Sequence, residues 1–230
     1  MPTLLVLGSK PEPRLPPPNA VDAVACANAS GFSAAQLGLP APALTVMSAV
    51  LTDGGEAGRL RIAALQGLAT GRLIYFPRRP KGRTALRRLW NRWRERRQRP
   101  AVLQRALQGV GYRWGRFEPV APDHFVKLIG GLTGDDAGLN DQMRRKHPSS
   151  GIMALAAGIA DGRWDRFVVA GFSFELTQAF APDPNIARRG TARSLHGDTD
   201  VLVLAALAAR LGTVFTTEPV VAERAGVPLL

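Results

Sequence analysis

Six short segments, nearly all apolar, recur along the chain and constrain its fold more than any other feature. They are TLLVLG (3–8), VDAVACAN (21–28), LTVMSAV (44–50), RLIYF (72–76), FVVAGFSF (167–174) and TVFTT (213–217). Strands that are apolar throughout are buried on both faces, which is typical of parallel sheets covered by helices. Helical patterns lie between them, at 101–109, 123–131, 152–159 and 200–211. The alternation predicts an α/β fold with a mostly parallel sheet. We expect a single domain spanning residues 1–230, with no internal repeat.

The positive charge of the protein is concentrated in one segment. The formal net charge is +12, and residues 78–99 (RRPKGRTALRRLWNRWRERRQR) hold eleven basic residues and one acid. This segment therefore supplies +10, and the other 208 residues supply only +2. The protein is close to neutral apart from one strongly basic insertion.

The basic insertion has the pattern of an amphipathic helix. Two leucines and two tryptophans recur at helical spacing, and arginines cover most of the remaining surface. Tryptophan and arginine on opposite faces favour the headgroup layer of an anionic membrane. The alternatives are a lid that docks its apolar stripe on the domain, and a nucleic-acid contact through phosphates. The predicted membrane-binding residues are Arg87, Arg88, Trp90, Arg92, Trp93 and Arg94.

Other features exclude several classes of protein. The single cysteine, Cys26, excludes an internal disulfide and a cysteine-based zinc cluster, and it is consistent with a reducing cytoplasm. The apolar run near the start is only five residues long, so we expect no signal peptide. No segment reaches the roughly 18 apolar residues of a spanning helix. We therefore expect a cytoplasmic protein, peripheral on the inner membrane.

Small polar residues follow several of the apolar segments. Gly8-Ser9 follows the first, Asn28 closes the second, and Phe172-Ser173 ends a later one. Ligands of open α/β sheets bind beyond the carboxyl ends of the strands, so we expect these residues at one edge. The turn GSKP (8–11) is neither GxGxxG nor a Walker A loop, which argues against NAD and ATP.

A second candidate for ligand binding is the start of the helix after His147 and Pro148. Ser149, Ser150 and Gly151 precede an apolar face at helical spacing. The first N–H groups of a helix lack internal partners, so such a start can bind an anion. Serine is also a common N-cap, and the pattern by itself favours capping over a ligand site.

The three histidines do not have the spacing of a metal site, and we predict no metal. His196 precedes a helix beside Asp198 and Asp200, an arrangement that suits a general base as well as an exposed loop. Asp200 is alternatively a plain N-cap. We interpret His147 as a phosphate or helix-end contact, and His124 as a half-buried packing residue.

In this order the motifs resemble the sialyltransferase superfamily, most closely the bacterial enzymes that use CMP-sialic acid. The family's glycine turn is matched by GSKPE (8–12), and its strand ending in Cys-Asn is matched by CAN (26–28). Its helix start, Ser-Ser-Gly or Thr-Ser-Gly, is matched by SSG (149–151). Its Gly-Ile-Asp-Phe segment is matched by GFSF (171–174). The family's His, followed by an acid that opens a helix, is matched by His196 and Asp200. The tail from Thr213 also resembles the family's ending. The likeness covers the first 50 and the last 85 residues, and the middle does not match.

The resemblance implies a sialyltransferase-like fold of the GT-A variant type and a CMP-activated acidic sugar as donor. His196 would deprotonate the acceptor hydroxyl, Asp198 or Asp200 would orient its imidazole, and no metal would be needed. The acceptor would be a glycan or glycolipid, such as lipopolysaccharide or a capsule precursor. The implied substrate-binding residues are Gly8, Ser9, Asn28, His147, Ser149, Ser150, Gly151, Gly171, Phe172, Ser173, Arg188 and Arg189.

The chain departs from the family at two points. Ser9 stands where the family's glycine turn has asparagine, and Glu175 follows the GFSF segment, where the family places phosphate-binding tyrosines. His147, or the arginine pair on residues 181–194, which we interpret as a mobile active-site loop, would substitute for them. The His-Pro pair resembles the related Kdo transferases, so sialic acid and Kdo both remain candidate sugars. The rival hypothesis is a non-catalytic module that binds membrane or nucleic acid through the basic insertion.

Overall fold

A computed structural model describes residues 1–52, 54–77, 96–177, 179–180 and 194–230 of the protein. Seven strands form one sheet in which every neighbouring pair is parallel. They are β1 (Thr3–Leu7), β2 (Ala23–Ala27), β3 (Leu44–Ser48), β4 (Ala69–Phe76), β5 (Arg113–Pro119), β6 (Arg166–Ala170) and β7 (Val214–Thr216). Their order across the sheet is β5-β4-β3-β2-β1-β6-β7. The predicted parallel α/β fold is confirmed.

Eight α-helices are found in the described residues. They are α1 (Ser30–Gln36), α2 (Glu56–Ala64), α3 (Pro100–Gly109), α4 (His124–Thr133), α5 (Ala137–Arg145), α6 (Ser150–Asp161), α7 (Gly197–Leu211) and α8 (Pro219–Ala225). None of these helices is long and apolar enough to cross a membrane.

The sheet is buried on both faces because successive strand residues point to opposite sides. In β1, Leu4 and Val6 join the core beneath α4, α6 and α7, whereas Leu5 and Leu7 pack on the other face with Ala34 of α1. A third group packs β3 and β4 against α3, through residues such as Met47 and Leu103. Because a central strand such as β1 is buried on both faces, nearly all of its residues are apolar.

Helix α6 crosses the middle of the sheet, and its sequence explains both of its ends. Ser149 is the N-cap, with its hydroxyl accepting from the amide of Ile152 at 3.5 Å, and Gly162 ends the helix in a left-handed conformation. A Cβ on Gly158 would lie 2.4 Å from Leu4 Cδ2, so glycine lets the helix approach β1 closely. The N-terminus of α6 is thereby fixed over the carboxyl edge of the sheet.

The boundaries differ from the sequence patterns at two places near this edge. The apolar segment 167–174 stays extended only to Ala170, because Gly171 and Phe174 have φ of +72° and +57°. Helix α7 begins at Gly197 with His196 as N-cap, so Asp200 lies inside its first turn rather than capping it. Most of the basic insertion, residues 78–95, and loop residues 181–193 lie outside the described residues.

The chain direction places a topological switch point between β1 and β6. From β1 the chain adds β2, β3, β4 and β5 on one side, and β6 and β7 lie on the other side. Loops that leave adjacent strands in opposite directions open a crevice at the carboxyl edge, where open α/β sheets bind ligands. The fold therefore predicts a ligand site between the ends of β1 and β6.

Candidate active site

A cavity of about 180 Å³ lies at this switch point. Its wall combines the ends of β1, β2 and β6 with the start of α6. Nine of the twelve residues predicted for substrate binding line it: Gly8, Ser9, Asn28, Ser149, Ser150, Gly151, Gly171, Phe172 and Ser173. Asp200 lines it as well. Motifs up to about 190 positions apart in sequence thus share one wall.

Glycines allow the turns after β1 and β6 to touch. The Gly8 amide donates to the Ala170 carbonyl at 2.8 Å, and the Lys10 amide donates to the Gly171 carbonyl at 3.0 Å. A Cβ on Gly8 would lie 2.2 Å from the Gly171 oxygen. Gly171 itself needs its positive φ of 72°. Any side chain at Gly8 would push these two turns apart.

Asn28 connects three elements at the floor of the cavity. It follows β2 with φ of +50°, a conformation that asparagine tolerates better than most residues. Its Oδ1 accepts from the Ser48 amide at 3.0 Å and from the Ser48 hydroxyl at 3.2 Å. Its Nδ2 donates to Ser150 Oγ at 3.1 Å. Asn28 therefore fixes the Ser150 hydroxyl, which keeps its own proton to donate.

The start of α6 presents donors to the cavity. The Ser149 hydroxyl caps the Ile152 amide, and the Met153 amide donates to the Ser149 carbonyl at 3.1 Å. Among the described residues no acceptor outside the helix is found for the amides of Ser150 and Gly151. Ser149 is thus the N-cap that its residue type predicts, and the helix start still has N–H groups that can bind an anion.

Phe172 closes the back of the helix start. Gly151 has no side chain where Phe172 packs, and a Cβ there would lie 2.8 Å from Phe172 Cζ. Phe172 is buried, whereas Ser173 is half-buried and its hydroxyl accepts from the Glu175 amide at 3.3 Å. The GFSF segment therefore packs directly against the SSG helix start.

Asp200 has a partner other than the one predicted. Its Oδ1 accepts from the Ser149 amide at 2.7 Å, so this carboxyl ties the first turn of α7 to the N-cap of α6. Burial raises the pKa of Asp200 to about 7, against the opposing effect of the Ser149 hydrogen bonds and of Lys146. Asp198 lies on the exposed side of α7, with Oδ2 at 3.8 Å from Lys146 Nζ.

In the sequence, His196 stands between Ser194 and Asp200, two residues of the cavity wall, but His196 itself does not line the cavity. The imidazole Nδ1 lies 2.6 Å from the His147 carbonyl oxygen. A carbonyl only accepts, so Nδ1 carries the proton and, in the neutral ring, Nε2 holds the lone pair. The His147 backbone thus fixes the tautomer, and the expected role of Asp198 or Asp200 in orienting the imidazole stays a prediction. Of the described site predictions, His147, His196 and Asp198 are outside the cavity wall.

Two charged residues near the cavity have no counterpart in the sequence predictions. Arg61 of α2 lines the wall. Glu218 is 1% exposed and lies behind the turns after β1 and β6. Its Oε1 accepts from the amides of Arg14 at 2.9 Å and Gly171 at 3.0 Å, and its Oε2 from Lys10 Nζ at 2.7 Å. Neither residue belongs to a local motif, so no sequence pattern indicated them.

The remaining predicted ligand groups are elsewhere. Arg188 and Arg189 lie outside the described residues. The only tyrosines of the chain, Tyr75 and Tyr112, are buried in the core beside α3 and do not line the cavity. Within the described ranges, no three His, Cys, Asp or Glu side chains are grouped as a metal site would require.

The comparisons with known proteins identify the fold. No family model and no curated protein matches the chain. A tyrosine-to-phenylalanine variant of the sialyltransferase CstII, solved in complex with CMP, has a TM-score of 0.53 at 12% identity, covering 100% of this chain and 86% of its own. CstII from Campylobacter jejuni with the substrate analogue CMP-3FNeuAc gives a TM-score of 0.50 at 12% identity, with the same coverage. The chain therefore has the α/β fold of a bacterial CMP-sialic acid sialyltransferase.

Proposed function

We propose that the protein is a glycosyltransferase that moves an acidic sugar, sialic acid or Kdo, from a CMP-activated donor to a glycan or glycolipid. The observation that carries this proposal is the cavity at the switch point, where Asn28 and the start of α6 meet. Two solved structures that share the fold hold CMP or a CMP-sugar analogue. A cavity with amide and hydroxyl donors suits the single phosphate of such a donor.

The donor phosphate would bind at the start of α6. The amides of Ser150 and Gly151 and the Ser150 hydroxyl, which Asn28 orients, supply the hydrogen bonds. As the bond between the anomeric carbon and the phosphate oxygen breaks, negative charge grows on that oxygen, and fixed donors stabilise it. A monophosphate leaving group held in this way needs no metal, and we expect EDTA to leave the transfer rate unchanged.

His196 would act as the general base. Its Nε2 takes the proton of the acceptor hydroxyl while the acceptor oxygen attacks the anomeric carbon and CMP leaves from the opposite face, which inverts the configuration. The hydrogen bond from Nδ1 to the His147 carbonyl holds the ring in the required tautomer. Asp200 acts indirectly, by holding the Ser149 amide.

Calorimetric titration of CMP, with AMP and NAD as controls, tests this proposal. We expect selective binding of CMP that Ser150→Ala and Asn28→Ala weaken. Equal binding of AMP, or no binding of CMP, would contradict the proposal and would favour the rival hypothesis, a non-catalytic module that acts through its basic insertion.

A His196→Ala variant separates catalysis from nucleotide binding. We expect transfer from CMP-sugar to fall by a factor of about 10² to 10⁴, while CMP affinity is unchanged, because a general base acts only in the transition state. His124→Gln, on α4, is the matched histidine control. Unchanged transfer in His196→Ala would rule out its role as base.

We also propose that the basic insertion holds the protein on an anionic membrane surface, where a lipid-linked acceptor is found. The described residues at the two ends of the insertion are compatible with this placement. Tyr75, near the carboxyl end of β4, donates through its hydroxyl to the Gln98 carbonyl at 2.8 Å. Tyr75 precedes the insertion and Gln98 lies near its end, so this hydrogen bond brings the two ends of the insertion together near the end of β4.

A further inference from the structure

Arg61 gives the cavity a positive charge that the proposed chemistry has not yet used. It extends from α2, the helix that follows β3, and it is half-buried in the wall. Among the described lining residues it is the only lysine or arginine, and the acids of the wall are Asp200 and Glu175. Without the charge of Arg61, the only ionisable acids and bases in the described wall would be Asp200 and Glu175.

The charges of the proposed donor call for such a group. A CMP-linked sialic acid or Kdo carries one negative charge on its phosphodiester and a second on the carboxylate of the sugar. Its cytidine is uncharged. The start of α6 supplies hydrogen bonds for one anionic group, and a second anion in a partly buried cavity needs its own partner.

The position of Arg61 assigns it to the sugar. Ser150, where the phosphate would bind, is tied to Asn28 at the end of β2. Phe172 and Ser173 follow β6, on one side of β2, whereas Arg61 belongs to the helix that joins β3 to β4, on the other side of β2. A donor that spans the cavity with its phosphate at Ser150 has one end toward β6 and the other toward Arg61. The charged end matches the cation, and the uncharged nucleoside takes the β6 end.

We propose that Arg61 binds the carboxylate of the donor's acidic sugar and thereby selects acidic over neutral sugars. This inference rests on the proposed function. A guanidinium can bind a carboxylate with two parallel N–H donors and still use its other donors for contacts within the protein. Lysine has the charge without this planar geometry.

Calorimetry with two ligands tests the inference. CMP is titrated into the wild type and into Arg61→Gln and Arg61→Lys variants, and so is whichever of CMP-3FNeuAc and CMP-Kdo the wild type binds more tightly. We expect Arg61→Gln to lose about 10- to 100-fold affinity for the sugar nucleotide, the value of a charged hydrogen-bonded contact, with CMP affinity unchanged. The affinity of Arg61→Lys for the sugar nucleotide should lie between those of the wild type and of Arg61→Gln. Arg59→Gln, exposed on the same helix, is the matched control and should bind both ligands as the wild type does.

The other outcomes are distinguishable. An equal loss for CMP and for the sugar nucleotide would place Arg61 at the phosphate and overturn the inference. No loss for either ligand would also overturn it, provided that urea unfolding shows the variant to be folded. A wild type that binds CMP but gains nothing from the acidic sugar would contradict the role of Arg61 and leave CMP recognition standing. A wild type that does not bind CMP would refute the proposed function itself.

Discussion

At the scale of single residues, the most informative group is Asp200, because one carboxyl joins two helices at the edge of the cavity. It is 4% exposed, and its oxygen accepts the backbone amide of Ser149, the N-cap of the proposed phosphate-binding helix. A shift of Asp200 would therefore move the start of α6. Asp200 thus helps to hold the start of α6 in place. It does so from inside the first turn of α7, and it is not the N-cap that was one reading of its sequence context.

The titration of Asp200 predicts a pH-dependent stability. Its folded pKa of about 7 lies above the ordinary value of 3.8, chiefly because of burial. The folded state thus holds more protons than the unfolded state between these values, so the free energy of unfolding falls as pH rises from about 4 to about 7. We expect Asp200→Asn, which keeps an acceptor for Ser149, to gain stability relative to the wild type between pH 5 and pH 8. The gain is at most roughly 4 kcal/mol.

Urea unfolding of both proteins at several pH values measures this difference. The contributions of the other titrating groups to the free energy of unfolding cancel in this difference, because both proteins contain those groups. Parallel stability curves from pH 5 to pH 8 would show that Asp200 titrates normally and that its burial does not disfavour the charged form.

Glu218 supports a second prediction at the residue scale. Its Oε1 accepts both backbone amides, and its Oε2 accepts Lys10, whose side chain is 33% exposed. In Glu218→Gln the amide oxygen can keep both backbone hydrogen bonds while Lys10 turns to water, so we expect a loss of about 1 kcal/mol. Glu218→Ala leaves two buried N–H donors without an acceptor and should cost about 3 kcal/mol. Unfolding free energies measure the contrast, and equal losses would contradict this division of roles.

At the scale of elements, the contact between the turns after β1 and β6 determines the shape of the cavity. Both turns line it, and they approach so closely that only glycine fits at position 8. The contact is between backbone atoms, so no rotation of a side chain can relieve a clash there. A change that disturbs the packing of the two strand ends therefore also changes the shape of the cavity.

Gly8→Ala is expected to damage stability and binding together. Its Cβ would meet the Gly171 backbone oxygen, so the two turns must separate at a cost of about 2 kcal/mol, and CMP affinity should fall with it. Gly131→Ala is the control. It lies exposed within α4 with nothing near its Cβ, and alanine there should stabilise the helix by up to about 1 kcal/mol. Unfolding midpoints and CMP titrations of both variants measure these effects, and a neutral Gly8→Ala would refute the close contact.

At the scale of the whole molecule, most of the net positive charge belongs to one segment of the sequence. The basic insertion carries +10 of the net +12, and the Tyr75 hydroxyl, before it, donates to the carbonyl of Gln98, near its end. A protein arranged in this way can present its active site toward a surface that binds the insertion. The basic insertion would then determine how the protein is oriented on the membrane as well as how tightly it binds there.

Reversing the charge of Arg87, Arg88, Arg92 and Arg94 to glutamate tests the membrane role. Each basic residue near an anionic bilayer contributes about 1 kcal/mol, so we expect the quadruple variant to lose retention on phosphatidylserine vesicles in a sedimentation assay. CMP affinity should be unchanged, because the variant keeps the proposed phosphate contacts at Asn28 and Ser150. Vesicles without anionic lipid are the control, and a variant that still sediments with anionic vesicles would contradict the membrane proposal.

The sequence by itself determined six of the seven strands of the sheet and much of the cavity wall. Strands such as β1 and β6 are buried on both faces, so their apolar runs are visible without any partner. The N-cap at Ser149 and the glycine turn at Gly8 also depend on local geometry. By contrast, β5 is largely exposed at the sheet edge and α2 buries only Gly58, so neither has a strong pattern. Periodicity reports burial, and elements with little burial do not show it.

Only the tertiary structure decided the partners of the charged groups. Asp200 meets the amide of Ser149, 51 positions away, and Glu218 meets Lys10, 208 positions away. Arg61 enters the cavity wall because α2 packs beside the carboxyl edge of the sheet, which nothing in its neighbouring residues indicates. Local sequence encodes where a helix or strand begins, because that depends on nearby backbone groups. Which charges meet depends on how the elements pack, and that is settled only when the whole chain has folded.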